Sequence, residues 1–252
     1  TNIIFKKNLI LKIHLKKNLK VKHSLMFNKV RSKLIKDLNN TNKTENVLNK
    51  NFKLNFKIKE LGKFKKFNNL VIIGMGGSIL GAEAIYQSLK KKIKKKVYFF
   101  DNLDVEKIVE FKNQKKNSTL FIIISKSGNT IETLSNLFAL NILGKNKKNI
   151  IIITEKKNNL LFEISKKFKL FYIEHNKNVG GRYSVLSEVG TVPAYLMGLN
   201  INLLRKNLSK HLFFNEKIYL KDSCVKLANI LEQKKIKNLV FCNYAPQLEK
   251  FL

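Results

Sequence analysis

Between residues 70 and 174 the chain carries five short, unbroken apolar runs: "LVIIG" (70–74), "VYFF" (97–100), "TLFIIIS" (119–125), "IIIIT" (150–154) and "LFYIE" (170–174). None of them alternates apolar with polar. A strand with one wet face alternates, so unbroken runs of this length predict strands buried on both faces, as in a parallel sheet covered by helices. The segments between the runs have helical spacing. "ILGAEAIYQSL" places Ile79, Ala82, Ile85, Tyr86 and Leu89 on one face, and "VEKIVEF" and "LLFEISKKF" behave alike. In "IETLSNLFALNIL" the spacing predicts an inward face of Ile131, Leu134, Phe138 and Ile142, with Gly144 ending the helix. Five such β/α units define an α/β fold with a doubly wound five-stranded parallel sheet of the flavodoxin type.

The flanks read differently. Residues 1–59 are rich in Lys and Asn. They contain one stretch of helical spacing through Leu25, Val30, Leu34 and Leu38, then "NNTNKTEN", which reads as a loop. Residues 60–200 hold the β/α rhythm and form the first domain. Residues 201–252 read as connecting helices and the start of a second α/β domain: "DSCVKLANILEQ", capped by Asp222 or Ser223, then a strand over "NLVFCNY" (238–244).

The net charge of +33 points first to nucleic acid or an anionic membrane. Its make-up argues against both. Only Arg31, Arg182 and Arg205 are arginines among 50 basic residues, and arginine is the side chain that forks onto bases and phosphates. The lysines are spread evenly, as on a solvated surface, so no nucleic-acid partner is expected. No apolar run approaches the roughly 20 residues of a membrane helix. Cys224 and Cys242 form no Cys-x-x-Cys pattern. That argues against a zinc site or disulfide framework and for a reducing, cytoplasmic setting.

Ligands of doubly wound folds bind at the carboxyl ends of the strands. After the first strand comes "GMGGS" (74–78). It fails the dinucleotide fingerprint, because position 79 is Ile79, and it fails the Walker pattern. It remains a run of small residues before a helix, suited either to an anion or to a tight turn. After the third strand comes "SKSGNT" (125–130). Ser125, Ser127 and Thr130 offer hydroxyls, Lys126 a charge, and Gly128 a close approach to backbone N–H groups. A sugar phosphate suits such a cradle. The alternative, helix capping by Ser127 or Thr130, needs one hydroxyl rather than three and a lysine. After the fifth strand comes "VGGRYSVLSEVG" (179–190). Here Arg182 either stabilises charge developing on a substrate oxygen or forms an ion pair, with Glu188 as a candidate partner.

In this order and spacing, "IGMGGS", "SKSGNTIET" and "VGGRYSVLSEVG" resemble the glucose-6-phosphate isomerase (phosphoglucose isomerase) family of sugar-isomerase (SIS) domain proteins. The closing "NLVFCNYAPQLEKF" resembles that family's second-domain strand. The likeness runs over roughly residues 60 to 252. It implies interconversion of glucose 6-phosphate and fructose 6-phosphate through an enediolate, with no metal or organic cofactor, in a homodimer when complete. It assigns Gly77, Ser78, Ser125, Lys126, Ser127 and Thr130 to phosphosugar binding, and Gly181 and Arg182 to the reacting carbons, with Arg182 stabilising the enediolate. Asn129 stands where many relatives have Thr. The family's proton-moving glutamate lies in a Glu-Ser-x-Gly-Lys motif that these 252 residues lack. None of His14, His23, His175 or His211 sits in the family's histidine motif, and Glu132 and Glu249 do not match its base. The expectation is a fragment that binds phosphosugar and turns it over poorly alone. Another SIS-domain phosphosugar-binding protein or isomerase would share the first two loops without the third. A basic nucleic-acid-binding protein is the remaining alternative.

Overall fold

A computed structural model describes residues 21–114, 118–144, 147–206, 208 and 218–232. Five strands form one sheet: β1 (Asn69–Ile73), β2 (Lys96–Phe100), β3 (Thr119–Ile124), β4 (Ile150–Thr154) and β5 (Phe171–Glu174). Their order is β2-β1-β3-β4-β5 and every pairing is parallel. This is the doubly wound arrangement expected from the five runs. All five residues of β4 and five of six in β3 are buried, whereas the edge strands β2 and β5 carry exposed ends. Unbroken apolar runs thus fall where both faces are covered.

The helices are α1 (Val21–Leu38), α2 (Ile58–Leu61), α3 (Leu80–Leu89), α4 (Val105–Asn113), α5 (Ile131–Ala139), α6 (Leu160–Lys167), α7 (Glu188–Leu196), α8 (Ile201–Arg205) and α9 (Ile218–Glu232). On one face of the sheet, Leu70, Ile72, Ile122 and Ile151 pack with Ala82 and Ile85 of α3 and Val189, Val192 and Leu196 of α7. On the other, Val71, Ile73, Ile123 and Ile152 pack with Leu137 of α5 and Leu161 and Ile164 of α6, and with Ile108 and Phe111 of α4 at the margin.

Five expectations need correction. α5 ends five residues before Gly144: Asn141 takes the left-handed conformation (φ 50°), and the Ile142 N–H reaches back to the Leu137 carbonyl. Asn tolerates that conformation and so stops the helix first. The inward face of α5 is Thr133, Asn136 and Leu137, while Ile131 and Phe138 are exposed. α9 begins at Ile218, so Asp222 and Ser223 lie within it rather than capping it. The "NNTNKTEN" stretch ends in a 3₁₀ turn, Thr44–Leu48, that buries Asn46 and Val47. In α1, Leu38 is buried but Leu25 and Val30 are exposed. The expected strand at 238–244 lies outside the described residues. Among the described residues no helix is long and apolar enough to cross a membrane.

Candidate active site

All three loops singled out in the sequence leave the carboxyl edge of the same sheet: 74–78 follows β1, 125–130 follows β3, and a 3₁₀ turn, Gly181–Leu186, follows β5. The parallel pairing puts them on one side without any further device.

The first and third loops touch backbone to backbone. A Cβ built on Gly77 would lie 2.3 Å from the carbonyl carbon of Gly181 and 2.6 Å from its Cα. Only glycine permits that approach. The Ser184 hydroxyl sits 3.0 Å from the Gly77 carbonyl oxygen and 2.7 Å from that of Gly181, sharing its proton between them. Ser187 caps α7 through the Val189 N–H and donates to the Ser184 carbonyl, at 2.7 Å. The Gly-Arg turn is thereby fixed between the β1 loop and the start of α7.

In the second loop the three hydroxyls face one another. Ser125 Oγ is 2.8 Å from Thr130 Oγ1 and 3.4 Å from Ser127 Oγ, and Ser127 and Thr130 are 3.3 Å apart. Ser125 is buried and its hydroxyl accepts the Gly128 N–H at 3.1 Å. Thr130 occupies the N-cap position of α5 but its side chain makes no capping bond. The capping alternative therefore fails for Thr130. The first N–H groups of α5 keep their partial positive charge without a side-chain cap, beside a cluster of donors.

The far side of this loop is clasped by α6. Gly128 has φ 72°, and a Cβ there would overlap Asn159 Oδ1 at 1.7 Å. Asn159 caps α6 through the Phe162 N–H, while the Asn129 side chain takes the Leu160 N–H at 2.9 Å and the Gly128 carbonyl takes that of Leu161 at 3.0 Å. The loop supplies the partners that the α6 N-terminus needs. The bond from the Leu160 N–H to Asn129 spans 31 positions and leaves no local signal in the sequence, whereas Asn159 is a local N-cap that the sequence reading did not pick out.

The Lys126 side chain is engaged by protein. Its Nζ donates to the carbonyls of Lys177 (2.8 Å) and Val179 (3.0 Å) and lies 3.5 Å from Glu155 Oε1. Lys157 reaches the other Glu155 oxygen at 2.7 Å. Partial burial pushes the Glu155 carboxyl up, but Lys157 and Lys126 outweigh it and hold it below its usual range. His175, which begins the loop after β5, is 1 % exposed, and its Nδ1 sits 2.9 Å from the Asn176 carbonyl. Burial holds its imidazole below the usual range, and this outweighs the opposing pull of the Asn176 carbonyl.

Arg182 is exposed and makes no hydrogen bond or ion pair among the described residues. The Glu188 pairing considered for it does not occur. Glu188 is fully buried at the start of α7 and accepts the Asn55 N–H at 2.8 Å. Burial pushes its carboxyl up, partly offset by backbone N–H groups and by Arg205. Arg205 is the structural arginine: it donates to the carbonyls of Leu186, Val47 (2.9 Å) and Asn49 (3.1 Å) and lies over Phe52. The rarity that drew attention to Arg182 marked Arg205 equally.

A parallel sheet of this order, with its site loops at the carboxyl edge, places the chain in the doubly wound class of α/β folds. Residues 5–212 match the family model described as phosphoglucose isomerase, and the chain belongs to that family. It is 38% identical over 194 residues to a probable glucose-6-phosphate isomerase of Methanococcus maripaludis, covering 71% of this chain and 43% of that protein. It is 43% identical over 141 residues to the glucose-6-phosphate isomerase of Borreliella afzelii, covering 51% and 26%. The chain thus spans less than half the length of these relatives. Among solved structures, a hypothetical protein from Thermus thermophilus shares the fold, with a TM-score of 0.67 at 22% identity over 84% of this chain and 54% of that one.

Proposed function

We propose that this chain is the phosphosugar-holding part of an aldose–ketose isomerase that interconverts glucose 6-phosphate and fructose 6-phosphate through an enediolate. The observation that carries the reading is the triangle of Ser125, Ser127 and Thr130 hydroxyls at the uncapped start of α5. A dianionic phosphate there would accept from the three hydroxyls and from the N–H groups of the first turn. Gly77 and Ser78 complete the sugar side of the site.

Arg182 has no ion-pair partner among the described residues to compete for its guanidinium. Its role in this reading is to stabilise the negative oxygen as the enediolate forms, while the Gly77–Gly181 contact sets where the turn presents it. Proton transfer between C2 and C1 needs a carboxylate, and Glu155, held by two lysines, is not suited to it. We assign that step to none of the acids of this chain. The remaining parts of the reading are a homodimer, a cytoplasmic setting, and no nucleic-acid partner.

The test is an isomerase assay of the full-length gene product with glucose 6-phosphate, compared with mannose 6-phosphate. Formation of fructose 6-phosphate, lost in Arg182→Ala, supports the reading. Turnover of mannose 6-phosphate alone, or of neither sugar, overturns it.

A further inference from the structure

The contacts of Lys126 do not fit a side chain waiting for a phosphate. An ammonium has three protons. Two go to the carbonyls of Lys177 and Val179, at 2.8 and 3.0 Å, and the third faces the Glu155 carboxylate at 3.5 Å. Glu155 is in turn fixed by Lys157 at 2.7 Å, and its backbone N–H donates to the Lys126 carbonyl at 3.3 Å. Every donor of Lys126 is therefore occupied by protein.

The accepting carbonyls are placed informatively. That of Val179 belongs to the peptide leading into Gly180, and Gly180 accepts the Tyr183 N–H that opens the Gly181–Leu186 turn. Gly180, Gly181 and Arg182 follow directly. The 176–179 segment is also held by the Asn176 side chain to the Asn178 N–H, by the Asn176 carbonyl to the Val179 N–H and His175 Nδ1, by Glu188, which accepts the Asn176 N–H, and by Thr44 and Thr41 from the N-terminal part of the chain. Among the described residues, Lys126 links the hydroxyl loop to the segment that leads into the arginine turn.

We infer that Lys126 is a positioning residue: it braces the loop after β5 against the hydroxyl loop and so sets the place of Arg182 relative to the bound phosphate. The inference rests on the proposed phosphosugar reading for its consequence in catalysis, but the brace can be tested without it. The brace holds the turn to the residue next to Ser125 and Ser127, so displacement of one loop is passed to the other.

Two variants separate the brace from a phosphate contact. Lys126→Met keeps the length of the side chain and removes its donors, whereas Thr130→Ala removes a cradle hydroxyl and touches nothing in the 176–183 loop. Hydrogen–deuterium exchange of this chain is expected to quicken about tenfold or more over residues 176–183 in Lys126→Met, on the scale of hydrogen bonds to a charged group, and not in Thr130→Ala. Titration with glucose 6-phosphate is expected to show the reverse: affinity within about threefold of the parent in Lys126→Met and lowered about tenfold or more in Thr130→Ala. In the full-length gene product, Lys126→Met lowers kcat and leaves KM nearly unchanged. Lys126→Gln, too short to reach both carbonyls, gives the same readings should the Met variant not fold. Unchanged exchange over 176–183, or a loss of affinity in Lys126→Met equal to that in Thr130→Ala, overturns the inference. If the parent binds no phosphosugar, the functional reading fails, and the exchange result alone decides the brace.

Discussion

Gly77 and Gly181 meet backbone on backbone, so closely that a Cβ on Gly77 would stand 2.4 Å from the Gly181 carbonyl oxygen. Residues more than a hundred positions apart thereby become one surface. Gly77→Ala is expected to push the Gly181–Leu186 turn away and to cost about 1–3 kcal/mol, as overpacking does. Urea unfolding measures the cost, and isomerase activity should fall further than stability does. A variant as stable and active as the parent would mean that the two loops are not held together.

Thr130 and Ser125 share the cradle but not their second duties. Thr130 makes no capping bond, whereas Ser125 also accepts the buried Gly128 N–H. Thr130→Val should lose phosphosugar affinity with little change in stability. Ser125→Ala should lose both, because an orphaned buried N–H costs about 1–3 kcal/mol. Calorimetric titration alongside thermal unfolding of both variants separates the two effects.

Gly128 is left-handed and faces Asn159 Oδ1. Gly128→Ala is expected to destabilise by about 1–3 kcal/mol, from the unfavourable φ together with overpacking. It should also break the clasp on α6, seen as faster amide exchange at Leu160 and Leu161. Gly62→Ala, where an added Cβ meets nothing within 4 Å and φ is −55°, is the control expected to be near neutral.

Acid should loosen the loop after β5 in two stages. His175 and Glu155 both have folded-state pKa values below their unfolded ones. The stability each contributes is complete above its unfolded value and is lost as pH falls through the folded one. The loss attributable to His175 therefore begins below 6.5 and that of Glu155 below 4.5. His175→Gln should flatten the first stage and leave the second, in denaturation midpoints followed from about pH 8 to about pH 2. An unchanged first stage would assign it to another group.

Glu188 has the opposite sign. Burial raises its folded-state pKa, so its contribution is complete below 4.5 and is lost as pH rises through the raised value. Glu188→Gln keeps an acceptor for the Asn55 N–H and cannot ionise. It should be more stable than the parent at about pH 8, and the difference should shrink toward about pH 4. A constant difference across that range would contradict the upward shift of this buried carboxyl.

The sheet was legible because burial on both faces leaves a one-dimensional trace: "IIIIT" reads as a covered strand by its length and β-branched make-up, and β4 is buried throughout. The helices were less so. In α5 the residues with the strongest apolar character, Ile131 and Phe138, face outward while Thr133 and Asn136 are buried. Asn136 is held by its side-chain bond to the Asn102 carbonyl, a partner that spacing cannot reveal. The three site loops stood out through residue type, and the fold brings them to one edge as strand polarity requires. What the sequence left undetermined was which cation does what. Lys126 and Arg205 turned out to serve backbone carbonyls, and Arg182 alone of these three is free of such duty among the described residues.

Phosphosugar binding at the hydroxyl cradle is tested most directly by amide chemical-shift mapping of this chain during titration with glucose 6-phosphate. Saturable shifts are expected on residues 125–132 and on Gly77 and Ser78, absent with glucose and abolished by Ser127→Ala combined with Thr130→Val. Shifts scattered over the lysine-rich surface, unaffected by that double substitution and reproduced by sulfate, would contradict binding at the cradle.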